Sequence, residues 1–277
     1  MKVVLFCGGL GMRLRDYAEN VPKPMVPIGS RPILWYLMKY YAHHGHKDFV
    51  LCLGYGGDAI RHFFLNYEEC MSNDFVLTQG GRRRQLLNSD IEDWRITFVD
   101  TGLNSNIGQR LLRAQKYLAG EDMFLANYAD GLTDLPLDRQ LSHFQHTDAV
   151  ASFVAVRPNI SYHFVTTDGN GRVSAFRDLV QSGIRVNGGF FVFKKDIFDY
   201  IREGEELVLK PFERLIADER LIAYGYDGFW MAIDTAKDKK RADDLFAAGD
   251  PPWMVWKSAA NGQTPLEDHL PQREAVE

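Results

Sequence analysis

Apolar and polar residues follow one another in blocks that predict alternating strands and helices along the first part of the chain. The run KVVLF at 2–6 has the continuous apolar character of a strand buried on both faces of a parallel sheet. Residues 32–44 begin with a proline and carry apolar residues at helical spacing, which predicts a helix. A second strand at 47–55 and a second helix at 58–67 follow. This order predicts an α/β fold with a mostly parallel sheet.

The rest of the chain continues this pattern with shorter units. Residues 78–94 predict a loop or a projecting hairpin, and the turn DGNG at 168–171 indicates a second hairpin. Residues 258–277 are polar without a period, so we expect one domain over 1–257 and a flexible tail over 258–277. The remaining predictions are strands at 95–102, 122–131 and 148–156, and helices at 107–120, 136–146, 195–203, 211–219 and 236–248.

Composition narrows the classes of protein to which the chain can belong. Its 277 residues are 45% hydrophobic and 25% charged, as in an ordinary globular protein, and the net charge of −5 argues against non-specific binding to nucleic acid. The three cysteines, Cys7, Cys52 and Cys70, are scattered, which disfavours a disulfide framework and a zinc site and fits a reducing compartment. No apolar run is long enough to cross a membrane, and the first residues do not resemble a signal peptide. We therefore expect a cytoplasmic protein.

Glycines follow the first predicted strand, at the edge of the sheet where ligands bind. Gly8, Gly9 and Gly11 allow backbone N–H groups to approach phosphate oxygens. A dinucleotide fingerprint would need glycine at position 14, which is Leu14, and the Walker motif is absent. The glycines therefore predict either a phosphate loop of another kind or a tight turn without a ligand.

Two cations close to this loop favour a phosphate ligand. Arg13 lies within the loop, and Lys23 lies between two prolines that restrict its backbone. Transfer at the α-phosphorus of a nucleoside triphosphate expels pyrophosphate, and fixed cations stabilise the charge that develops on it. The alternative is a pair of ordinary surface cations.

Aspartates follow two further apolar runs. Asp130 ends FLANYAD, and Asp234 ends GFWMAID. Carboxylate oxygens at the ends of strands suit Mg²⁺ beside a phosphate, and two such groups can share one ion. Aspartate is also a common N-cap residue of helices, so each residue has a structural alternative.

In this combination the chain resembles the sugar-1-phosphate nucleotidyltransferases, and most closely their glucose-1-phosphate cytidylyltransferase branch. The resemblance implies a Rossmann-like central sheet flanked by helices, with a smaller β-rich sugar-binding region. It also implies Mg²⁺, a homo-oligomer, and transfer of a cytidylyl group from CTP to glucose 1-phosphate, giving CDP-glucose and pyrophosphate. The motifs that carry it are GGLGMRL, KPMVPIG, RPILWYLMKYY, HGHKDFVLCLGY, VDTG, YADG, NGGFFVF, GFWMAIDTAKDK and PPWMVW.

The resemblance also assigns residues to the site. Asp130 and Asp234 would hold the metal ion, and with Arg13 and Lys23 they are the catalytic candidates. Asn187 and Gly188 fall at the acceptor pocket, and Arg177 is a candidate for the acceptor phosphate. The nucleotide would contact Gly8, Gly9, Gly11, Met12, Arg13, Lys23, Ser105 and Arg110.

The sequence departs from the family pattern at two places. Met12 stands where family members usually carry threonine, and the stretch SAFRDLVQSG lacks the Glu-Lys-Pro that commonly precedes the NGGFF strand. In the family, the lysine of that stretch contacts the sugar phosphate, and here only an arginine, Arg177, lies nearby. Because arginine and lysine bind phosphate differently, the acceptor could be a different phosphorylated compound. A non-catalytic nucleotide-binding paralogue is a further alternative. A third alternative is a nicotinamide-dependent oxidoreductase. Leu14 argues against it, because the dinucleotide fingerprint requires glycine at that position.

Overall fold

The structure is a computed structural model that describes residues 1–9, 21–158, 163–178 and 183–260. Its eight α-helices in this part of the chain are α1 (Ile33–His43), α2 (Gly57–Leu65), α3 (Ile107–Ala114), α4 (Leu137–Gln145), α5 (Ile197–Tyr200), α6 (Lys210–Ala217), α7 (Ala236–Ala247) and α8 (Val255–Ala260). None of these helices is long and apolar enough to cross a membrane.

The described residues form sixteen strands. They are β1 (Lys2–Phe6), β2 (Pro27–Ile28), β3 (Arg31–Pro32), β4 (Asp48–Leu53), β5 (Phe75–Thr78), β6 (Arg83–Leu86), β7 (Arg95–Asp100), β8 (Met123–Tyr128), β9 (Gly131–Thr133), β10 (Ala151–Val156), β11 (His163–Thr167), β12 (Val173–Asp178), β13 (Val186–Asn187), β14 (Phe191–Lys194), β15 (Leu221–Tyr226) and β16 (Trp230–Ala232).

Eight of these strands form a central mixed sheet in the order β13-β10-β14-β8-β1-β4-β7, with β15 paired to β10. The four neighbours β8, β1, β4 and β7 are parallel, so their carboxyl ends lie along one edge. Strand β14 joins β8 in the antiparallel sense. The predicted α/β architecture with a Rossmann-like, mostly parallel core and added β structure is confirmed.

Helices pack on both faces of the sheet because its central strands are apolar on both sides. In β1, Val3 and Leu5 face a core that includes Leu37 of α1. Val4 faces the opposite core, which includes Leu111 of α3. All five side chains are at most 1% exposed. This two-sided burial explains the unbroken apolar runs in the sequence.

A small antiparallel pair, β9 with β16, lies outside the central sheet. Ala232 is opposite Gly131, and the backbone N–H of Ile233 donates to the carbonyl of Asp130 at 3.0 Å. The strand predicted at 122–131 is β8, which ends at Tyr128, and Asp130 lies between β8 and the short strand β9. This pairing brings two distant parts of the chain together beside the carboxyl end of β8.

A two-stranded hairpin, β5–β6, projects from the body, as one of the two predictions for 78–94 expected, although it begins earlier, at Phe75. We call this hairpin the arm. All eight of its strand residues are exposed. A second hairpin, β11–β12, matches the one predicted around the DGNG turn.

Several predicted elements are shorter in the structure than the sequence indicated. The helix predicted at 107–120 ends at Ala114 and continues as a 3-10 turn to Leu118, and the helix predicted at 195–203 covers only Ile197–Tyr200. Helix α8 runs across the predicted domain boundary at residue 257. The remainder of the predicted tail, 261–277, lies outside the described residues.

Candidate active site

Three distant segments meet at one place beside the carboxyl end of β8. Lys23 lies in a 3-10 turn, Lys23–Met25, that begins directly after Pro22. Asp130 lies between β8 and β9, and Asp234 lies between β16 and α7. Because β9 and β16 are paired, the two aspartates emerge side by side and face the lysine.

The Lys23 ammonium bridges the two carboxylates. Its Nζ lies 2.5 Å from Asp130 Oδ2 and 2.6 Å from Asp234 Oδ1. The Lys23 side chain is 16% exposed, whereas those of Asp130 and Asp234 are 27% and 40% exposed. Burial alone would lower the pKa of Lys23, but the charges and hydrogen bonds of both aspartates outweigh it, so the pKa is raised above its usual value. The lysine is therefore a fixed positive charge at neutral pH.

The alternative role of the aspartates as helix N-caps does not apply. Thr235 is the N-cap residue of α7, and it forms a capping box with Asp238. Asp130 precedes strand β9 rather than a helix. Both carboxylates therefore act on Lys23 instead of on a helix end.

The described part of the glycine loop rests on a buried arginine. Arg110 is 1% exposed, and its guanidinium donates to the carbonyls of Leu53 at 3.1 Å and Gly102 at 3.2 Å. A Cβ atom on Gly8 would overlap this guanidinium, whereas one on Gly9 would meet nothing within 4 Å. Burial lowers the pKa of Arg110 below its usual value. The arginine thus ties together the backbone that follows β1, β4 and β7.

Ser105 lies in the loop after β7, within a compact hydrogen-bond network. Arg113 Nη1 donates to Ser105 Oγ at 2.6 Å and to the carbonyl of Thr101. Ser105 Oγ donates to that same carbonyl. The side chain of Thr101 is completely buried and donates to the carbonyl of Leu53 at 2.6 Å. Sequence reasoning missed Arg113, because a polar residue in a helix normally indicates only a solvated face.

Asn187 and Gly188 lie on the opposite side of β8 from the glycine loop. Asn187 Nδ2 donates to the hydroxyl of Tyr128 at 3.3 Å, and Trp230 Nε1 donates to the carbonyl of Gly188 at 2.8 Å. Burial raises the pKa of Tyr128 to about 12 despite the hydrogen bond from Asn187, and the charges of Glu206 and Asp130 add to this effect. Tyr128 and Trp230 thus link the predicted acceptor residues to the strands that carry the aspartates.

Arg177 lies apart from these residues, exposed on β12, where its backbone pairs with Phe164. Arg185 is closer in sequence to Asn187, but its guanidinium binds Asp227 at 2.8 Å and the carbonyl of Ala155 at 2.9 Å. Arg185 therefore holds strands together. The predicted roles of Gly11, Met12 and Arg13 concern residues outside the described ranges. The ligand contacts predicted for all site residues stay predictions.

Comparison with known proteins shows the family to which the chain belongs. Residues 2–242 match the family model described as nucleotidyl transferase. The chain is 35% identical over 259 residues to glucose-1-phosphate cytidylyltransferases of Salmonella typhi and Salmonella typhimurium, covering 93% of this chain and 100% of each relative. A crystal structure of UDP-glucose pyrophosphorylase complexed with UDP-glucose has the same fold, with a TM-score of 0.64 at 16% identity, covering 89% of this chain and 98% of the other.

The match spans most of the chain and includes the three segments that meet at Lys23. It confirms the family that the sequence motifs indicated. The chain is a member of the nucleotidyl transferase family, a sugar-1-phosphate nucleotidyltransferase close to the glucose-1-phosphate cytidylyltransferases.

Proposed function

We propose that this protein transfers the cytidylyl group of CTP to glucose 1-phosphate, giving CDP-glucose and pyrophosphate. The observation that carries the proposal is the convergence of Lys23, Asp130 and Asp234 at the carboxyl edge of the sheet. Relatives named glucose-1-phosphate cytidylyltransferase, matched over their whole length, support CTP as the donor and glucose 1-phosphate as the acceptor.

The two aspartates fit a Mg²⁺ ion. Their carboxylate oxygens already converge on one cation, the Lys23 ammonium, and both are partly exposed. The described residues contain no cluster of three or more carboxylate, histidine or cysteine groups that could enclose a metal. Magnesium keeps several water ligands and is usually held by one or two carboxylates together with substrate phosphates, which matches this pair. Bound there, Mg²⁺ would supply charge stabilisation at the α-phosphate.

The transfer needs no nucleophile from the protein. A phosphate oxygen of the acceptor attacks the α-phosphorus of CTP, the bond from that phosphorus to the bridging oxygen breaks, and pyrophosphate leaves with the electron pair. The protein must align two anions that repel each other. Lys23 supplies a cation at the phosphates, and the backbone at Gly8 and Gly9 supplies N–H groups. Asn187 and Gly188 place the acceptor on the other side of β8.

Pyrophosphate release tests this function. The four nucleoside triphosphates are each combined with Mg²⁺ and glucose 1-phosphate, mannose 1-phosphate or a phosphorylated non-sugar acceptor. We expect the highest kcat/KM for CTP with glucose 1-phosphate. A preference for another acceptor would identify a cytidylyltransferase that acts on a different phosphorylated compound, the alternative suggested by the missing Glu-Lys-Pro stretch. Binding of CTP without release for any acceptor would identify a non-catalytic paralogue.

We also propose that the protein forms a homo-oligomer through the arm. In its register Phe75 is opposite Leu86, and Leu77 is opposite Arg84, so Phe75, Leu77 and Leu86 share one face although they are 39%, 56% and 40% exposed. An isolated two-stranded hairpin is at best marginally stable in water, which favours a partner for this face.

The base of the arm holds it firmly in place. Glu69 accepts hydrogen bonds from the backbone N–H groups of Asp90 at 2.9 Å and Ile91 at 3.3 Å. The side chain of Asp90 is 7% exposed and accepts from Lys39 at 3.0 Å and Tyr67 at 3.1 Å. Hydrogen bonds of polar groups thus anchor the base of the arm.

Charge favours a second copy of this chain as the partner. Residues 75–88 contain three arginines and no acidic residue, so this segment has a net charge of +3. Because the net charge of the whole chain is −5, the rest of the chain has a net charge of −8. Sedimentation velocity tests this: we expect Leu77→Glu to dissociate the oligomer, and Ile216→Glu, at a 63% exposed position on α6, to leave it intact. A wild-type protein that sediments as a monomer at micromolar concentration would contradict the proposal.

The structure gives one further observation on location. All three cysteines are free thiols, with Cys7 and Cys52 buried. This supports a reducing compartment, and we infer a cytoplasmic location from it.

A further inference from the structure

We propose that two buried amide side chains, Asn127 and Gln140, position Asn187 for the acceptor by fixing the backbone of Phe190. Asn127 and Gln140 act through the backbone and are therefore positioning residues. This inference rests on the proposed function, in which Asn187 lies at the acceptor, and it adds two residues on which acceptor binding depends.

The segment that carries Asn187 contains a bulge. Strands β13 and β14 both pair with β10. In this pairing Asn187 is opposite Ala155, and Val192 is opposite Ser152. Four residues separate Asn187 from Val192, but only two separate their partners, so the segment has two extra residues. Bulges are common beside active sites, where they change the direction of a side chain.

Within this bulge Phe190 has a backbone conformation that bulky residues rarely adopt. Its φ is +50°, in the left-handed region, and its side chain is 1% exposed. Such a conformation is unfavourable and persists only when the surrounding structure holds it, and residues of this kind concentrate at functional sites. The contacts that hold Phe190 therefore show what the bulge depends on.

Asn127 and Gln140 make these contacts. The Phe190 N–H donates to Asn127 Oδ1 at 2.9 Å, and Gln140 Nε2 donates to the Phe190 carbonyl at 2.7 Å. The two backbone groups belong to the peptide planes on either side of the Phe190 Cα atom, so holding both planes fixes φ and ψ. Asn127 and Gln140 are 1% and 0% exposed, so bulk water does not replace either bond.

The bulge transmits this constraint to the side chain of Asn187. A Cβ atom on Gly189 would overlap Asn127 Oδ1, so Asn127 packs directly against the bulge. The Gly189 N–H donates to Asn187 Oδ1 at 2.9 Å. Because a backbone N–H can only donate, this bond decides which end of the Asn187 amide is the oxygen. The amide nitrogen is thereby directed to the Tyr128 hydroxyl, at 3.3 Å.

An amide donor at this place suits a phosphorylated acceptor. Tyr128 ends β8 two residues before Asp130, and Asn187 approaches it from the β14 side, whereas Gly8 lies on the β1 side. In-line displacement places the attacking and leaving oxygens on opposite sides of the α-phosphorus. In the proposed function pyrophosphate leaves over the glycines after β1, so the acceptor attacks from the side of Asn187. A second N–H on its amide nitrogen can donate to an acceptor oxygen.

The test removes the hydrogen-bond donor of Gln140 while keeping a side chain of similar length. Gln140→Met is compared with Gln140→Glu, whose buried carboxyl is protonated near about pH 6 and can donate to the same carbonyl. The control, Ser152→Ala, removes a buried hydroxyl on β10 that has no hydrogen-bond partner in the described part of the chain. Initial rates give kcat and both KM values, well below the melting temperature measured for each variant.

We expect Gln140→Met to raise the KM for glucose 1-phosphate about tenfold, as the loss of one hydrogen bond to the acceptor would, and to leave the KM for CTP unchanged. Gln140→Glu at about pH 6 and Ser152→Ala should keep the wild-type KM for glucose 1-phosphate. Equal increases in both KM values, or an unchanged KM for glucose 1-phosphate in Gln140→Met, would overturn the inference.

A second variant, Asn127→Leu, releases the other peptide plane and keeps the test decisive if Gln140→Met does not fold. Hydrogen–deuterium exchange of residues 186–192 is measured for each protein without substrate. We expect faster exchange in Asn127→Leu and Gln140→Met than in the wild type, and no change in Ser152→Ala. Unchanged exchange in both amide variants would overturn the inference. If the wild-type protein shows no transfer, the proposed function fails, and exchange still decides separately whether these amides hold the bulge.

Discussion

Lys23 and Asp234 are 211 positions apart in the chain, yet the Lys23 ammonium lies 2.6 Å from Asp234 Oδ1. The same ammonium lies 2.5 Å from Asp130 Oδ2. Three segments therefore depend on one another for their charge balance: the proline-flanked turn, the end of β8 and the residues before α7. Changing these three side chains one at a time is the most direct test of the proposed site for a polyphosphate and a metal ion.

Replacing Lys23 with methionine should lower kcat/KM about 10²–10³-fold, as the loss of one preorganised charge-stabilising donor typically does. The raised pKa keeps the ammonium charged at neutral pH, so the ratio of wild-type to variant rates should stay constant between about pH 6 and about pH 9. Steady-state pyrophosphate release at several pH values measures both the loss in kcat/KM and the dependence of the rate ratio on pH. Lys240→Met, which removes an exposed lysine paired with Asp244, is the control. A Lys23→Met protein with near-native turnover would remove the lysine from the mechanism.

Neutralising either aspartate should weaken binding of a divalent ion. Asp130→Asn and Asp234→Asn each remove one of the two carboxylates, and a single carboxylate leaves the ion with fewer charged ligands. Electron paramagnetic resonance titration with Mn²⁺ in the presence of CTP gives the dissociation constant, which we expect to rise at least about tenfold. Asp244→Asn, on the exposed face of α7, should bind Mn²⁺ as the wild type does. Unchanged binding in both site variants would place the metal elsewhere.

The adjacent glycines Gly8 and Gly9, which follow β1, should respond differently to alanine. At Gly8 the new methyl group would overlap the buried Arg110 guanidinium, whereas at Gly9 it meets nothing within 4 Å. We expect Gly8→Ala to lower the free energy of unfolding by about 1–3 kcal/mol, as overpacking does. Gly9→Ala should stay within about 0.5 kcal/mol of wild type. Urea unfolding measures the difference, and equal stabilities would show that Arg110 does not hold this loop.

The anchor of the arm should give the protein a stability that depends on acid pH. Burial would raise the pKa of Asp90, but hydrogen bonds from Ser72, Lys39 and Tyr67 outweigh it and lower the pKa below its usual value. The stabilisation is therefore fully present above about pH 3.9, the usual pKa of aspartate, and is lost as the pH falls through the lower folded value.

Asp90→Asn tests this linkage. We expect the variant to lose about 1–3 kcal/mol of unfolding free energy at pH 7, because the charged acceptor of several buried donors is replaced. The difference in unfolding free energy between wild type and variant, measured by urea unfolding, should become smaller below about pH 4. Asp93→Asn, at an exposed ion pair with Lys47, serves as the control. A gap that stays constant down to pH 3 would show that the ionised carboxylate contributes nothing.

The apolar pattern predicted most of the central sheet because buried parallel strands have unbroken apolar runs. It did not predict the β9–β16 pair, whose strands have three residues each and join distant parts of the chain. Motifs identified Lys23, Asp130 and Asp234 as candidates. Their meeting point depends on that short pairing, and local periodicity carries no information about it.

Other residues of the site gave no signal in the sequence. Arg113 lies in a helix where an arginine normally indicates solvent exposure, and its hydrogen bonds to Ser105 and Thr101 arise only when the loop folds back on α3. Asp90 anchors the arm from the stretch 78–94, where the sequence predicted a loop or a projecting hairpin but no contact of this aspartate. In both places polar contacts between segments determine the structure, and such contacts follow from tertiary geometry rather than from spacing along the chain.

In the proposed function, Lys23, Asp130 and Asp234 serve the transfer of a cytidylyl group. Phosphorus NMR of the wild-type protein with CTP, glucose 1-phosphate and Mg²⁺ tests it most directly, with Asp130→Asn in parallel. We expect CDP-glucose and pyrophosphate to appear in equal amounts with the wild type and far more slowly with the variant. An unchanged spectrum of CTP and glucose 1-phosphate with the wild type, or equal rates for the two proteins, would contradict it.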